Sequence, residues 1–225
     1  MQIERYALYF APNDRALSQA AAAWLGWDAE TGCAVAQPAI AGLAAATAAP
    51  RKYGFHGTLK APFRLDPAYR TDDLAEALAH AATQIAPVDL PGLAVARLAG
   101  RFLALRPDGN EAGLREIASE VVTRFEPFRA PPSAAEIARR KPETLTPRQR
   151  DLLHAFGYPY VFEEFRFHLT LTGDLPEPEL DRLQPEAVAY FTPHLPRPFR
   201  VDQICLFGED AQGRFHILSR HTLSG

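Results

Sequence analysis

The apolar positions of this chain change period several times, and each change marks an element. Tyr6-Ala7-Leu8-Tyr9-Phe10 is aromatic and aliphatic and predicts a strand. Asn13 or Asp14 then caps a helix that runs to Trp24. Residues 26–50 carry few signals and leave room for one short helix. A strand is predicted within 52–65. Thr71 caps a helix through about residue 86, apolar at Leu74, Leu78 and Ile85 with Ala81 between. Strands over 93–98 and 102–106 follow, joined by a turn at Gly100. The same order then repeats. Asn110 caps a helix to Phe125, with Leu114, Ile117, Val121 and Val122 on its apolar face. A strand over 161–172, a helix over 177–191 and strands over 200–207 and 214–221 complete the second half. Residues 128–150, between them, are Pro-rich and basic, with short helices predicted at 134–140 and 147–156. Strands mixed with helices in this way predict an α+β chain with two similar sheets. The division runs 1–100 and 101–225, with a basic helical insertion at about 128–156.

Within that repeat lies a repeated phrase. Phe55-His56-Gly57-Thr58-Leu59 and Phe167-His168-Leu169-Thr170-Leu171 both read Phe-His-x-Thr-Leu. The shared Phe and Leu lower the odds of coincidence by a factor on the order of a thousand at average residue usage. A strand sends residues i and i+2 to one face. Each copy therefore presents a histidine and a threonine together. In the first strand Gly54, His56, Thr58 and Lys60 share a side, and Tyr53, Phe55, Gly57 and Leu59 share the other. In the second, Glu164, Arg166, His168, Thr170 and Thr172 oppose Phe165, Phe167, Leu169 and Leu171. Two such strands facing each other would enclose a cleft with two imidazoles and two hydroxyls. Lys60 and Arg166 are either anion grips in that cleft or part of a solvated sheet face.

Composition narrows the partners. The chain has 225 residues, 47% hydrophobic, and a formal net charge of −3. That is enough to build a core, and no global basic field exists for long nucleic acid. Small anionic ligands held by local charge remain. No stretch approaches the roughly 18 apolar residues of a membrane span. The start, Met1-Gln2-Ile3-Glu4-Arg5, lacks the features of a secretory signal, so a cytoplasmic protein without membrane partners is expected. Cys33 and Cys205 match no metal or redox spacing and read as ordinary thiols. A monomer is expected.

An unperturbed imidazole titrates near pH 6.5, so of two histidines one can act as base and the other as acid. Opening a cyclic phosphodiester needs both, one for the attacking water and one for the leaving sugar oxygen. Thr58 and Thr170 can donate to the phosphoryl oxygens as charge develops. Two histidines are too few for an ordinary zinc site, and no P-loop is present, so no cofactor or metal is expected. The basic segment holds Arg129, Arg139, Arg140, Lys141, Arg148 and Arg150. It is either a solvated connector or a rim that grips a phosphate. Tyr9 is either core or a surface on which a base stacks. Lys52 is either at the cleft mouth or on the general surface.

The paired His-x-Thr motifs resemble those of the 2H phosphoesterase superfamily. The wider phrases Arg51-Lys52-Tyr53-Gly54-Phe55-His56-Gly57-Thr58-Leu59-Lys60 and Gly157-Tyr158-Pro159-Tyr160 are more particular, as is the run from Phe165 to Gly173. They are similar to the branch often encoded beside bacterial phosphonate-utilisation genes. The resemblance implies a bilobal fold with pseudo-two-fold symmetry and a central cleft. It also implies His56, Thr58, His168 and Thr170 as the catalytic set. The activity implied is hydrolysis of a cyclic nucleotide or a phosphorylated ribose cyclic phosphate without metal. Lys60, Arg166, Tyr9, Lys52, Arg139 and Arg140 are the candidate substrate contacts. The alternatives are processing of short RNA ends that carry a 2′,3′-cyclic phosphate, or nucleotide binding without turnover.

Overall fold

A computed structural model describes all of residues 1–225. Strand β1, Ile3–Phe10, is buried on both faces from Tyr6 onward and runs through the middle of the molecule. Helix α1, Arg15–Leu25, starts where the Asp14 carboxylate accepts the Leu17 N–H. It stops at Gly26, whose φ of 79° favours a residue without Cβ. Strands β2 (Trp27–Asp28) and β3 (Cys33–Ala34) form a small hairpin, and α2 (Leu43–Ala46) is a single turn. Strand β4, Gly57–Phe63, carries the first motif. Helix α3 (Thr71–Ala82), strand β5 (Val88–Leu90) and the antiparallel pair β6 (Leu93–Leu98) and β7 (Phe102–Pro107) follow. Then come α4 (Ala112–Arg124), α5 (Ala134–Arg139) and α6 (Pro147–Phe156). Strand β8 (Leu169–Thr170), helix α7 (Glu177–Phe191), strand β9 (Phe199–Val201) and the hairpin β10 (Gln203–Asp210) and β11 (Phe215–Thr222) end the chain.

The chain is α+β, with one large antiparallel sheet in the order β11-β10-β1-β4-β8-β7-β6. The two similar sheets expected from sequence are the two wings of this one. They meet at a single pair, Gly57 opposite Leu169. The halves also exchange strands: β6 of the first half extends the wing of β8 and β7, whereas β10 and β11 of the second extend the wing of β1 and β4. Residues 1–100 and 101–225 therefore interlock.

Helices α1, α3, α4 and α7 cover one face. Leu8, Leu59, Leu105, Leu169 and Leu171 from the strands meet Trp24, Leu78, Ile117 and Phe191 there, in one cluster of 39 buried residues. Each such side chain contributes roughly 1.5–3 kcal/mol by leaving water. A smaller cluster, including Tyr9, Trp27, Phe207 and Phe215, covers the β1–β10–β11 wing on the other face. Between the wings that second face is open. No helix is long and apolar enough to cross a membrane.

The second motif segment departs from the strand expected over 161–172. A 3-10 turn occupies Phe162–Glu164, and only Leu169–Thr170 pairs as a strand. Its remaining backbone groups are satisfied otherwise. The Phe167 N–H donates to Glu111 at 3.2 Å, the Leu171 N–H to the Leu103 carbonyl at 2.9 Å, and the Leu171 carbonyl accepts Trp24 Nε1–H at 2.9 Å. Side chains from α1 and from the start of α4 thus hold this motif in place. In the basic insertion the two expected helices form, each opened by a capping box, Ser133 with Glu136 and Thr146 with Gln149.

Candidate active site

The Gly57–Leu169 pair sets the geometry. Continued one residue each way, the antiparallel register puts His56 opposite Thr170 and Thr58 opposite His168. Opposed side chains share a face, with Cβ atoms about 4.5–5.5 Å apart. The four form a two-by-two array on the open face, histidines at one diagonal and threonines at the other. All four line a cleft of about 530 Å³. The motif strands therefore lie side by side in one sheet. They do not face each other across the cleft, as the sequence had implied.

The middle residue of the motif explains itself here. A Cβ on Gly57 would come within 2.6 Å of the Phe167 ring. The phenylalanine of the second copy fills the space that a side chain on the first would need. Leu169, its counterpart, points into the core with no exposure.

Each histidine is oriented by a carbonyl two residues before it. His56 Nδ1–H donates to Gly54 O at 3.0 Å, and His168 Nδ1–H donates to Arg166 O at 2.7 Å. A carbonyl only accepts, so the proton sits on Nδ1 and Nε2 is left free as a base. The Thr58 hydroxyl reaches His56 Nε2 at 3.2 Å. Gly54 presents its carbonyl from a φ of 68°, a conformation that favours glycine. Tyr9 stacks on the His56 ring, centroids 3.7 Å apart at 14°. Burial pushes the His56 pKa down to about 4, opposed by the Gly54 carbonyl and aided by His168. His168 is also lowered, first by burial and then by Arg106, with the Arg166 carbonyl and Glu111 opposing.

The other candidates divide. Tyr9 and Arg140 line the same cleft as the four motif residues. Tyr9 is 1% exposed, and one face of its ring is taken by His56, so it supports the histidine and offers no open platform to a base. Arg139 lines an adjoining cavity of about 270 Å³, and Arg166 one of about 470 Å³ on the other side. Lys52 is exposed in a 3-10 turn and lines none of these. Lys60 is on the wrong face. Tyr9 pairs with Thr58 but Leu8 with Lys60, so β4 carries a bulge between Thr58 and Lys60 that breaks the alternation. Lys60, 3% exposed, turns to the helix side and donates to Glu126 at 2.7 Å and to the Val122 carbonyl at 3.3 Å.

Sequence reading missed Arg5, Tyr53, Phe102 and Tyr158 in the cleft wall. Arg5 carried a signal, since it shares a strand face with Tyr9. Alternation puts Tyr53 on the opposite face, but the turn at Gly54 precedes the strand and alternation does not reach it. No group of three His, Cys, Asp or Glu side chains is arranged to hold a metal ion.

Residues 58–216, from the first motif threonine to the last strand, match the family described as "Protein of unknown function (DUF1045)". The chain belongs to this family. It is also 41% identical over 184 residues to ribose 1,5-bisphosphate phosphokinase PhnN of Janthinobacterium sp. (strain Marseille), covering 79% of this chain and 40% of that protein. The PhnN of Laribacter hongkongensis (strain HLHK9) is 35% identical over 224 residues, 96% of this chain and 51% of that one. The DUF1045 chain thus spans about half or less of the curated relatives it matches. Among solved structures, TT0787 of Thermus thermophilus gives a TM-score of 0.45 at 18% identity over 98% of both chains. E. coli LigT complexed with 3′-AMP gives 0.44 at 16% identity over 100% of both chains. Likenesses this loose bear on neither activity nor ligand.

Proposed function

We propose that this chain hydrolyses a small cyclic phosphodiester, with His56 and His168 as the acid–base pair and Thr58 and Thr170 as phosphoryl-oxygen donors. The observation that carries this is the diagonal array with both Nδ1 protons held by carbonyls. Diagonal neighbours of this kind lie about 7–8 Å apart, their Cβ atoms somewhat closer. A phosphorus atom over the centre has one imidazole on each side and one hydroxyl on each side of the other diagonal. That suits in-line displacement. One Nε2 takes a proton from water as its oxygen bonds to phosphorus. The ring P–O bond breaks on the far side, and the other imidazole, protonated, gives its proton to the leaving sugar oxygen. The threonine hydroxyls stabilise the equatorial oxygens. The product is a phosphomonoester beside a free hydroxyl. In this reading an anionic phosphate raises the pKa of the imidazole that serves as acid, offsetting the burial that lowers both.

The resemblance of the motifs to the 2H phosphoesterase superfamily supports the reaction class. The ribose 1,5-bisphosphate in the relatives' name supports a ribose phosphate substrate. The likeness of the wider motif phrases to the branch encoded beside phosphonate-utilisation genes supports a place in phosphonate utilisation. One observation favours a second reading, a nucleotide or short RNA end that carries the cyclic phosphate. The cavity of about 470 Å³ beside His168 is walled by Phe102, Tyr158, Tyr160 and Phe165, rings suited to a base.

Phosphorus NMR of a panel of ribose and nucleoside cyclic phosphates, with EDTA present, tests the proposal. The cyclic phosphate resonance of at least one member is expected to be replaced by that of a phosphomonoester. A panel left entirely unopened would contradict it.

A further inference from the structure

Five arginines line the cavity of about 270 Å³ that opens beside the histidine cleft: Arg5, Arg64, Arg129, Arg139 and Arg140. Three have carboxylate partners. Arg5 is gripped by Glu209, Arg64 pairs with Glu136 at 3.2 Å, and Arg129 with Glu126 at 2.5 Å. Arg139 and Arg140 have none, and their side chains make no hydrogen bond. Of the six basic residues of the segment, Arg129 and Arg148 are paired with the carboxylates of Glu126 and Glu163. Among the four that are not, Arg139 and Arg140 are the two that line this cavity.

Arg140 is also the residue that joins the two spaces. It lines both the 270 Å³ cavity and the histidine cleft, together with Arg5, Tyr53 and Pro62. Its guanidinium lies over the Tyr158 ring, 4.9 Å from the centroid. A guanidinium held over a ring in this way keeps N–H groups available to an anion. The backbone holds the position as well. Lys141, the next residue, has a φ of 48° and ends α5 in the left-handed region without being glycine. The arginine fork is thus placed at the lip of the cleft, beside the reacting phosphate of the proposed function.

We propose that Arg140, backed by Arg139, forms a second anion subsite that binds a phosphomonoester carried by the same substrate. This deepens the proposed function and rests on it. Between a plain cyclic phosphate and one that bears a further phosphate on the sugar's primary hydroxyl, it selects the second. A planar fork donates to two phosphate oxygens at once, and the nearby Arg139 adds charge without needing contact.

Ribose 5-phosphate is the probe, because it carries the phosphomonoester without the cyclic ring. Isothermal titration of the full chain is expected to show binding of ribose 5-phosphate and none of ribose. Arg140→Ala should weaken that binding about ten- to a hundredfold, the loss of charge-assisted hydrogen bonds. The double variant His56→Ala/His168→Ala should bind within about twofold of wild type, since the subsite lies beside the histidines. Absence of binding to wild type would overturn the proposal. So would binding that survives Arg140→Ala, or that is lost in the double-histidine variant alone. The two readings fail separately. Ribose 5-phosphate bound through Arg140 without any ring opening in the NMR panel would remove the activity and keep the subsite. Ring opening with unchanged binding in Arg140→Ala would remove the subsite and keep the activity.

Discussion

A histidine buried beside a carbonyl and another aromatic ring is a different reagent from one in water. With the His56 pKa at about 4 and that of His168 also below its ordinary value, both are neutral in the free protein at pH 7. The proposed ring opening needs one of them protonated. The kcat/KM is therefore expected to rise as pH falls from 8 to below 6.5, and to fall again as pH nears 4 and the base itself takes a proton. A profile that rises steadily from pH 6 to 8 would contradict this. The same shift links to stability. An unfolded His56 takes up a proton near pH 6.5, whereas the folded one resists until about 4. Its contribution is thus fully favourable above 6.5 and is lost as pH falls through that window. Thermal unfolding of wild type should show this decline between pH 6.5 and 4, and His56→Asn should flatten it. The threonines act differently. Thr170→Val, which takes no bond from either imidazole, should lower turnover by about ten- to a thousandfold without moving the pH optimum, as removal of a transition-state donor does.

At the scale of elements, the two copies of the motif are held by different means, and each means predicts a different variant. Gly57→Ala places a methyl in the Phe167 ring and is expected to cost about 1–3 kcal/mol of stability, read by denaturant unfolding. Leu169, at the same motif position, has no such constraint. Lys60→Ala should cost about 2 kcal/mol by removing a buried hydrogen-bonded cation, while Glu126 keeps Arg129. It should leave KM unchanged, because Lys60 faces the helices. These two residues also mark where sequence reading succeeds and where it stops. The motif phrase, its face and the flanking helices were legible, because period-2 and period-3.6 patterns are local. The bulge after Thr58 was not, because one extra residue in a strand leaves the composition unchanged and reverses every side chain beyond it. Tyr53 was misplaced for a related reason, since alternation was extended through a turn at Gly54. The second motif strand was overextended, because its order comes from Trp24 and Glu111, far away in sequence.

For the molecule as a whole, the seven-stranded sheet is the device that makes one site from two repeats. A single strand pair, Gly57 with Leu169, joins the wings, and all four motif side chains fall around it. Because β6 lies in the wing of β7 and β8, and β10–β11 in the wing of β1 and β4, neither half carries a complete wing alone. That pairing was invisible in sequence, where the two phrases lie more than a hundred residues apart. The helices give the sheet one closed face and leave the four motif side chains on the open one. The basic insertion closes one end of that face and supplies the unmatched arginines. The central claim is that the two histidines work as one acid–base pair. Its most direct test is the rate of ring opening by the His56→Ala/His168→Ala double variant, on whichever cyclic phosphate wild type opens, with the fold checked by circular dichroism. A folded variant with no measurable ring opening is the predicted result, and a folded variant that keeps wild-type turnover would contradict the account.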